Sequence, residues 1–369
     1  MMKKSCVDMW IHEEDNMNFL INRLDNLDIG NKNFEFISTN IKKEMNINGM
    51  IVGANGKFLI DQKDIMILIR KSGLRNQIGE NMYNAVLRKT MMVFLIPTQE
   101  DEFEMTKEEL DQRYGIKQLH LNNFAQAFSL GCWFIKDSCV TANFIYWINM
   151  FNGYNSQATR DMSITMSNGL TEEICLTDNE MAEAIQRMYE IYGYLLPDES
   201  AMGQVEHTYS TGTMVWNIDK AISTEGKSFA KALTKLQEAR RTGVLVSKID
   251  KYCSILECIY AIKKDHKKNI SNITAAYIGI DSEEREKIRE NMRDAYGVRS
   301  DDSHGDTLKY LKEKDRESLV NLSSILDDYV RRVFKKVIAV EELNYNDIPE
   351  EKAYVRKYFT DLAKMFYSE

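Results

Sequence analysis

The strongest constraint on how this chain folds is the helical spacing of its apolar residues after residue 224. In segment 247–265 apolar side chains recur at positions i, i+3 and i+4, and they form one stripe: Ile249, Tyr252, Cys253, Leu256, Ile259 and Tyr260. Segments 228–241 and 316–340 carry stripes of the same kind. A helix with one apolar face buries that face against other helices. The spacing therefore predicts an all-α bundle of about four to six helices over residues 225–369.

Two local signals mark where further helices of this bundle begin. Asp281 followed by Glu284 is a capping box, which satisfies the first amides of a helix that runs toward Tyr296. Pro349 suits the first turn of a last helix that extends to Tyr367.

Residues 1–224 mix strand and helix patterns. Apolar runs that alternate or are bounded by turns predict strands at residues 33–37, 48–60, 65–68 and 90–96, the second being a hairpin around Asn55-Gly56. Helical spacing predicts helices at residues 1–28, 106–114, 122–134 and 179–195. Segment 138–151 fits either structure, and short strands are predicted at 164–166 and 174–176 around a turn.

The change of pattern predicts two domains. Residues 197–225 are rich in Asp, Ser, Gly and Thr and show no clear period, which is typical of a connection between domains. We therefore predict an α+β domain over residues 1–224, followed by the helical bundle of residues 225–369.

Charge separates the two halves as well. The formal net charge is −8 at pH 7, which by itself disfavours nonspecific binding to nucleic acid. Residues 225–369 hold 28 Lys+Arg and 26 Asp+Glu, giving +2, and residues 1–224 hold the remaining 20 and 30, giving −10. The second half is therefore the better electrostatic host for RNA.

Several classes of protein are disfavoured. No apolar run approaches the ~20 residues of a membrane helix, and no apolar core follows the first lysines as in a secretory signal. The six cysteines form no Cys-x-x-Cys and have no histidine cluster near them, so a zinc site is not expected. We expect a cytoplasmic protein without metal, cofactor or membrane partner.

The run Tyr296-Gly297-Val298-Arg299-Ser300-Asp301-Asp302-Ser303-His304-Gly305 carries the chemistry. A guanidinium is a permanent cation whose donors match a phosphate, and an imidazole moves protons near neutral pH. Together they suffice to cut RNA through its own 2′-hydroxyl. Arg299 is our candidate for holding the scissile phosphate and His304 for proton transfer. The alternative is a structural pair that binds helix ends, Asp301 or Asp302.

Arg299 and His304 meet only if their helix is interrupted. Five positions on an ideal helix turn about 500°, which leaves the two side chains about 140° apart. Gly297, Gly305, Ser300 and Ser303 predict a break in this helix.

Further residues are candidates for support. Ser300 and Ser303 offer hydroxyl donors, and Tyr296 either stacks on a base or packs in the core. Glu257 either orients Arg299 or His304 or is the buried partner of a structural lysine. In the run around His266 the lysines either contact RNA phosphates or form a solvated helix end, and these are Lys263, Lys264, Lys267 and Lys268.

The pattern Tyr-x-x-Arg-Ser-x-x-x-His-Gly after a long helix resembles the HEPN superfamily and, more narrowly, the Apea-like HEPN proteins of bacteria. Leu256–Tyr260 and Asp281–Arg285 fit this pattern, and Leu130–Val140 resembles a tryptophan-lysine-aspartate-serine segment that such proteins often carry. The resemblance covers the last 145 residues well and the first 220 thinly. Asp301 and Asp302 depart from the pattern, because less acidic residues are expected at these positions. Two carboxylates beside a phosphate site are expected to weaken substrate binding.

The resemblance implies a HEPN bundle that acts as a metal-independent endoribonuclease, with two Arg–His pairs forming one composite site across a homodimer or a larger oligomer. It also implies a role in anti-phage defence or as a toxin-like effector, with the first domain as sensor or regulator. The rival interpretation is a non-catalytic module for dimerisation and for binding RNA or protein. A third interpretation is a HEPN protein that acts together with a nucleotidyltransferase. This chain has no Gly-Ser with paired aspartates, the motif that would supply such an activity in cis.

Overall fold

The computed structural model describes residues 17–29, 33–36, 48–52, 69–97, 100–149, 155–159, 163–195, 228–304, 307–340 and 349–367. The chain divides into two compact units. The first comprises Met1–Met162, Glu172–Gly193 and Thr208–Met214, and the second comprises Ser163–Thr171, Tyr194–His207 and Val215–Glu369. The described part of the chain is mostly helical, with a small antiparallel sheet in the first unit, in agreement with an α+β part and a helical part. Segment 163–171, which precedes the predicted boundary, belongs to the second unit.

The first unit is built on one sheet. Its elements are β1 (Met17–Asp25), β2 (Leu27–Asp28), β3 (Asn33–Phe36), β4 (Asn48–Val52), α1 (Leu74–Arg88), β5 (Thr90–Pro97), α2 (Lys107–Ile135), β6 (Thr141–Asn149), β7 (Asn155–Thr159), β8 (Ile174–Cys175) and α3 (Asp178–Leu195). Six strands pair in the order β3-β4-β5-β1-β6-β7, all antiparallel, while β2 and β8 form a separate parallel pair.

Helices cover the sheet on both faces. On one face Ile21 of β1 packs in an apolar cluster with Val86 of α1. On the other, the ring of Tyr114 from α2 stacks on Trp147 of β6, with 4.3 Å between the ring centroids. A central strand of such a sheet is therefore buried on both sides.

This burial explains why the predicted opening helix is wrong where the structure describes it. Leu20, Ile21 and Leu24 are buried in β1, which pairs with β5 and β6. A strand covered on both faces does not need to alternate apolar and polar residues. Apolar residues then fall at positions i, i+1 and i+4, which a helix would also show.

Several other elements predicted for the first unit are confirmed. The strands at 33–37 and 90–96 are confirmed as β3 and β5, and the helix at 179–195 is confirmed as α3. Segment 138–151, which fitted either structure, is strand β6. The helices predicted at 106–114 and 122–134 are one helix, α2, which begins with a capping box between Thr106 and Glu109. The predicted turn at Asn55-Gly56 and the strand at 65–68 lie outside the described residues.

The second unit is a bundle around one central helix. Its helices are α4 (Ser228–Arg241), α5 (Leu245–Tyr260), α6 (His266–Ile278), α7 (Ser282–Ser303), α8 (Tyr310–Glu313), α9 (Arg316–Ile338) and α10 (Pro349–Phe366). Helix α5 packs against α4, α6, α7, α9 and α10. All six residues of the apolar stripe predicted on α5 are buried, which confirms that prediction.

The capping box predicted for α7 is confirmed in a shifted form. The carboxylate of Asp281 accepts the N–H of Glu284 at 2.8 Å. The carboxylate of Glu284 reaches back to the N–H of Ile280 at 2.7 Å, one residue before the N-cap. The start of α7 is therefore fixed by two reciprocal side-chain contacts.

Segment 163–171 is held to the second unit by hydrogen bonds to its main chain. The hydroxyl of Ser323 in α9 donates to the carbonyl of Ser167 at 2.7 Å. The amine of Lys248 in α5, which is fully buried, donates to the carbonyl of Thr165 at 3.3 Å. Residues 164–166 are irregular, so the strand predicted there is wrong, while β8 lies within the strand predicted at 174–176.

No helix in the described ranges has both the length and the apolar character that crossing a bilayer requires.

We predict that Gly131→Ala destabilises the first unit by roughly 1–3 kcal/mol. A Cβ at Gly131 in α2 would overlap the backbone carbonyl of Ala184 in α3, so the two helices must separate. Urea denaturation followed by circular dichroism measures the change. Gly297→Ala in α7 is the control, because its Cβ meets no atom within 4 Å. Helix propensity predicts a gain of about 0.5–1 kcal/mol there, and equal effects at both positions would contradict this account.

Candidate functional site

Helices α5 and α7 bring three of the predicted site residues together. Asp250 and Glu257 are two turns apart on one face of α5, and Tyr296 and Arg299 are one turn apart on α7. The Nε of Arg299 lies 2.9 Å from Oδ1 of Asp250, and its Nη1 donates to Oε1 of Glu257. Arg299 therefore bridges two turns of the neighbouring helix. Of the roles predicted for Glu257, the structure shows the one that orients Arg299.

Tyr296 belongs to the same cluster. Its hydroxyl donates to Oε1 of Glu257 at 2.9 Å, and the guanidinium carbon of Arg299 lies 5.6 Å from the centre of its ring. The residue is only 8% exposed. Tyr296 thus packs in the core and is not placed to stack on a base.

An imidazole reaches this cluster from α6. The Nδ1 of His266 lies 3.0 Å from Oε1 of Glu257, at an angle outside hydrogen-bonding geometry. The connection between α5 and α6 turns sharply, with positive φ at Ala261 and Asp265, and it returns the chain to the last turns of α5. His266 is therefore the first residue of α6 and faces the carboxylate that holds Arg299.

Sequence reasoning missed this contact. His266 stands among lysines, a pattern that is typical of a solvated helix end. The sequence does show that Glu257 and His266 are close along the chain and that a helix ends between them. It does not show which way the connection turns, and therefore does not predict that the two side chains meet.

The same turn brings the basic run beside the cluster. Lys263 and Lys264 lie in the connection, and Lys267 and Lys268 lie in the first turn of α6. All four lysines are exposed at the surface of the helical unit. They flank His266, whose Nδ1 lies 3.0 Å from Oε1 of Glu257. The predicted RNA-binding lysines and the predicted phosphate-binding arginine thus share one region of the helical unit.

The charges within the cluster compensate one another. Burial alone would raise the pKa of Glu257, but the hydrogen bond and the charge of Arg299 hold it below the ordinary value. Burial alone would lower the pKa of Arg299, and the same ion pair raises it instead. Burial also raises the pKa of Tyr296. Arg299 therefore faces two carboxylate side chains, those of Asp250 and Glu257.

The break predicted between Arg299 and His304 is wrong. Helix α7 continues to Ser303, with Gly297 in its interior, and His304 follows as the C-cap, its N–H donating to the carbonyl of Ser300 at 3.2 Å. A single glycine weakens a helix by about 1 kcal/mol, and the burial of Tyr296 and Val298 on either side outweighs that cost. The helix thus keeps Arg299 and His304 about 140° apart. Gly305 lies outside the described residues.

The remaining motif residues surround the end of α7. His304 and Ser300 are exposed, and the side chain of Ser303 lies outside the described residues. The carboxylate of Asp301 accepts the N–H of Lys309 at 2.7 Å, and this hydrogen bond lowers its pKa. Asp301 therefore fastens the segment after the helix, and Asp302 is exposed.

The segment Leu130–Val140 has a structural role in the first unit. Trp133 is fully buried, and the amine of Lys136 lies 2.7 Å from Oε1 of Glu180 and donates to the carbonyl of Cys175 at 3.1 Å. These contacts tie the end of α2 to the start of α3.

Comparison with known proteins identified no relative. A scan against protein-family models found no match, and searches of curated proteins and of solved structures found none either. Across the described residues no group of three or more His, Cys, Asp or Glu side chains is arranged to hold a metal ion.

We predict that Glu257→Gln destabilises the helical unit at pH 7 by roughly 1.5–3 kcal/mol, because Arg299 and Tyr296 are deprived of a charged acceptor. Since folding lowers the pKa of Glu257, its contribution is complete above the ordinary value of 4.5 and is lost as the pH falls through the folded-state value. The difference between wild type and variant should therefore shrink on acidification. Urea denaturation at pH 7 and at lower pH measures it.

Glu290→Gln is the matched control, because Glu290 is exposed on α7. It should change the free energy of unfolding little at either pH. A Glu257→Gln difference that stays constant with pH would contradict the ion pair described above.

Proposed function

We propose that the helical unit is a metal-independent endoribonuclease of the HEPN type, which acts on RNA as a homodimer in the cytoplasm. The observation that supports this proposal is the shared carboxylate of Glu257. Through it, Arg299 lies in the same region as an imidazole and four surface lysines. A guanidinium, imidazoles and a basic surface are what phosphodiester cleavage without a metal requires.

The cleavage step uses groups that the chain supplies. The 2′-oxygen of RNA attacks the phosphorus while a base takes its proton, and the bond from phosphorus to the 5′-oxygen breaks as that oxygen is protonated. The products are a 2′,3′-cyclic phosphate and a 5′-hydroxyl. Arg299 has five N–H donors, of which two face Asp250 and Glu257, so three are left for phosphate oxygens.

The geometry of α7 is the reason for proposing a dimer. One helix directs Arg299 and His304 about 140° apart, so the two do not converge within a chain. A second copy related by a two-fold axis would bring its own end of α7 to the same phosphate. The Arg299 of one chain then shares a composite site with the His304 of the other. In this proposal the first unit senses a trigger or restrains the nuclease in an anti-phage or toxin-like effector.

One observation favours the rival function. Arg299 is paired with two carboxylates and only 25% of its side chain is exposed, which is also what a structural tie between α5 and α7 would show. In that case the helical unit is a non-catalytic module for dimerisation and for binding RNA or protein.

We predict that the full-length protein cleaves RNA in the presence of EDTA and leaves 2′,3′-cyclic phosphate ends. His304→Ala should reduce the rate by about 10²–10⁴-fold, because it removes a proton-transfer group from an exposed position without disturbing the core. Arg299→Lys should also reduce it strongly, since lysine keeps the charge but lacks the fork of donors. Sequencing of the RNA ends after brief incubation measures both activity and site preference.

Asp302→Asn is the control, because Asp302 is exposed two residues from His304. It should retain activity, since it removes only negative charge near the phosphate. Full cleavage by His304→Ala would remove the proposed role of that residue. A wild-type protein that binds RNA and never cleaves it would establish the rival function.

We also predict that RNA binding depends on the basic run. In a His304→Ala background, replacing Lys263, Lys264, Lys267 and Lys268 by alanine should weaken binding and flatten its salt dependence. The slope of log K against log salt should fall by about 0.7 for each phosphate that the variant no longer neutralises. Lys357→Ala with Lys364→Ala is the control, because these side chains are 77% and 69% exposed on α10. The control removes two charges and the test four, so the effect is compared per lysine. Equal weakening per lysine in both sets would indicate nonspecific charge effects.

A further inference from the structure

The carboxylate of Glu257 faces two functional groups from two different helices. Arg299 approaches it from α7, and His266 approaches its Oε1 from α6, with 3.0 Å between that oxygen and Nδ1. The cleavage reaction needs one group to take a proton and another to give one. Within a chain, the Arg-x4-His motif supplies only one imidazole.

The surroundings of His266 orient its ring. The Nδ1 atom is buried, whereas 39% of the side chain is exposed, so the exposed part is the other side of the ring, where Nε2 lies. A carboxylate beside Nδ1 favours the tautomer that carries its proton on that nitrogen. Nε2 is then the nitrogen that exchanges protons with a molecule in solution.

The charged groups around His266 come from three elements. Glu257 faces it from α5, with Arg299 of α7 bound to the same oxygen, and Asp265 and Lys267 adjoin it in the chain. Among these, Glu257 is the group that the ring nitrogen contacts. The guanidinium of Arg299, at the position proposed for the scissile phosphate, contacts the same oxygen of Glu257.

We propose that His266 is a second proton-transfer group of the RNA cleavage site and serves as its general acid, with Glu257 as the positioning residue. This inference rests on the proposed ribonuclease function. Neutral His304 of the second copy accepts the proton of the 2′-hydroxyl as the 2′-oxygen bonds to phosphorus. Protonated His266 gives its proton from Nε2 to the 5′-oxygen as the bond from phosphorus to that oxygen breaks. One imidazole gains a proton and the other gives one up, and exchange with water restores both.

A change of leaving group tests this role. A 5′-bridging phosphorothiolate substrate departs as a thiolate, which needs no proton, whereas the natural 5′-alkoxide does. His266→Ala should therefore be slower by about 10²-fold or more on the oxygen substrate and recover most of the wild-type rate on the sulfur substrate. His304→Ala should stay defective on both substrates, because base catalysis is needed in either case. The full chain is used throughout.

His266→Asn separates chemistry from structure. Its amide nitrogen can face Glu257 as Nδ1 does, but it cannot transfer a proton. We expect this variant to behave as His266→Ala does and to lack the decline of rate at high pH that a general acid produces. A structural role predicts instead that asparagine restores activity on both substrates.

The outcomes distinguish the two proposals. If wild type cleaves both substrates and the His266 variants are unaffected, or equally defective on both, the inference about His266 fails and the ribonuclease remains. If wild type cleaves neither substrate, the proposed function and this inference fail together.

Discussion

The candidate site of the helical unit depends on the contacts that the carboxylate of Glu257 makes with neighbouring helices. Three helices meet at it: α5 carries it, α7 contributes Tyr296 and Arg299, and α6 contributes His266. A half-buried carboxylate is stable only when cationic or hydrogen-bonding groups surround it. The same interaction that joins the helices therefore also gathers the groups that a phosphate would need.

The charge of Arg299 is compensated by neighbouring carboxylates, so attraction of RNA to such a site would depend on other cations. Arg299 is shared with Asp250 and Glu257, so its charge alone does not create a positive surface. Four exposed lysines flank His266. The helical half of the chain carries +2 (28 Lys+Arg against 26 Asp+Glu), where the first half carries −10 (20 against 30). In the proposed ribonuclease, long-range attraction and local chemistry are assigned to different residues: the lysines attract the polyanion, and the cluster beside them positions one phosphate.

The fold was predictable where a single physical signal dominated. The stripe on α5, the cap of α7 at Asp281 and the strand β5 follow from periodicity and capping, and the structure contains all three. Prediction failed at β1, because burial on both faces removes the alternation that identifies a strand. It failed again at Gly297, because tertiary packing of the flanking side chains outweighs the weak helix propensity of one glycine.

The sequence by itself determined that Arg299 and His304 lie at the end of a long helix in a helical half with four lysines nearby. It also determined the residue types that make proton transfer and phosphate binding chemically feasible. Only the tertiary structure decided that Glu257 joins Arg299 to His266, and that α7 continues past Gly297. Spacing along a chain specifies which residues share one helix face, whereas contacts between helices depend on how connections turn, as at Ala261 and Asp265. Those turns arise from the packing of the whole bundle, and no local pattern encodes them.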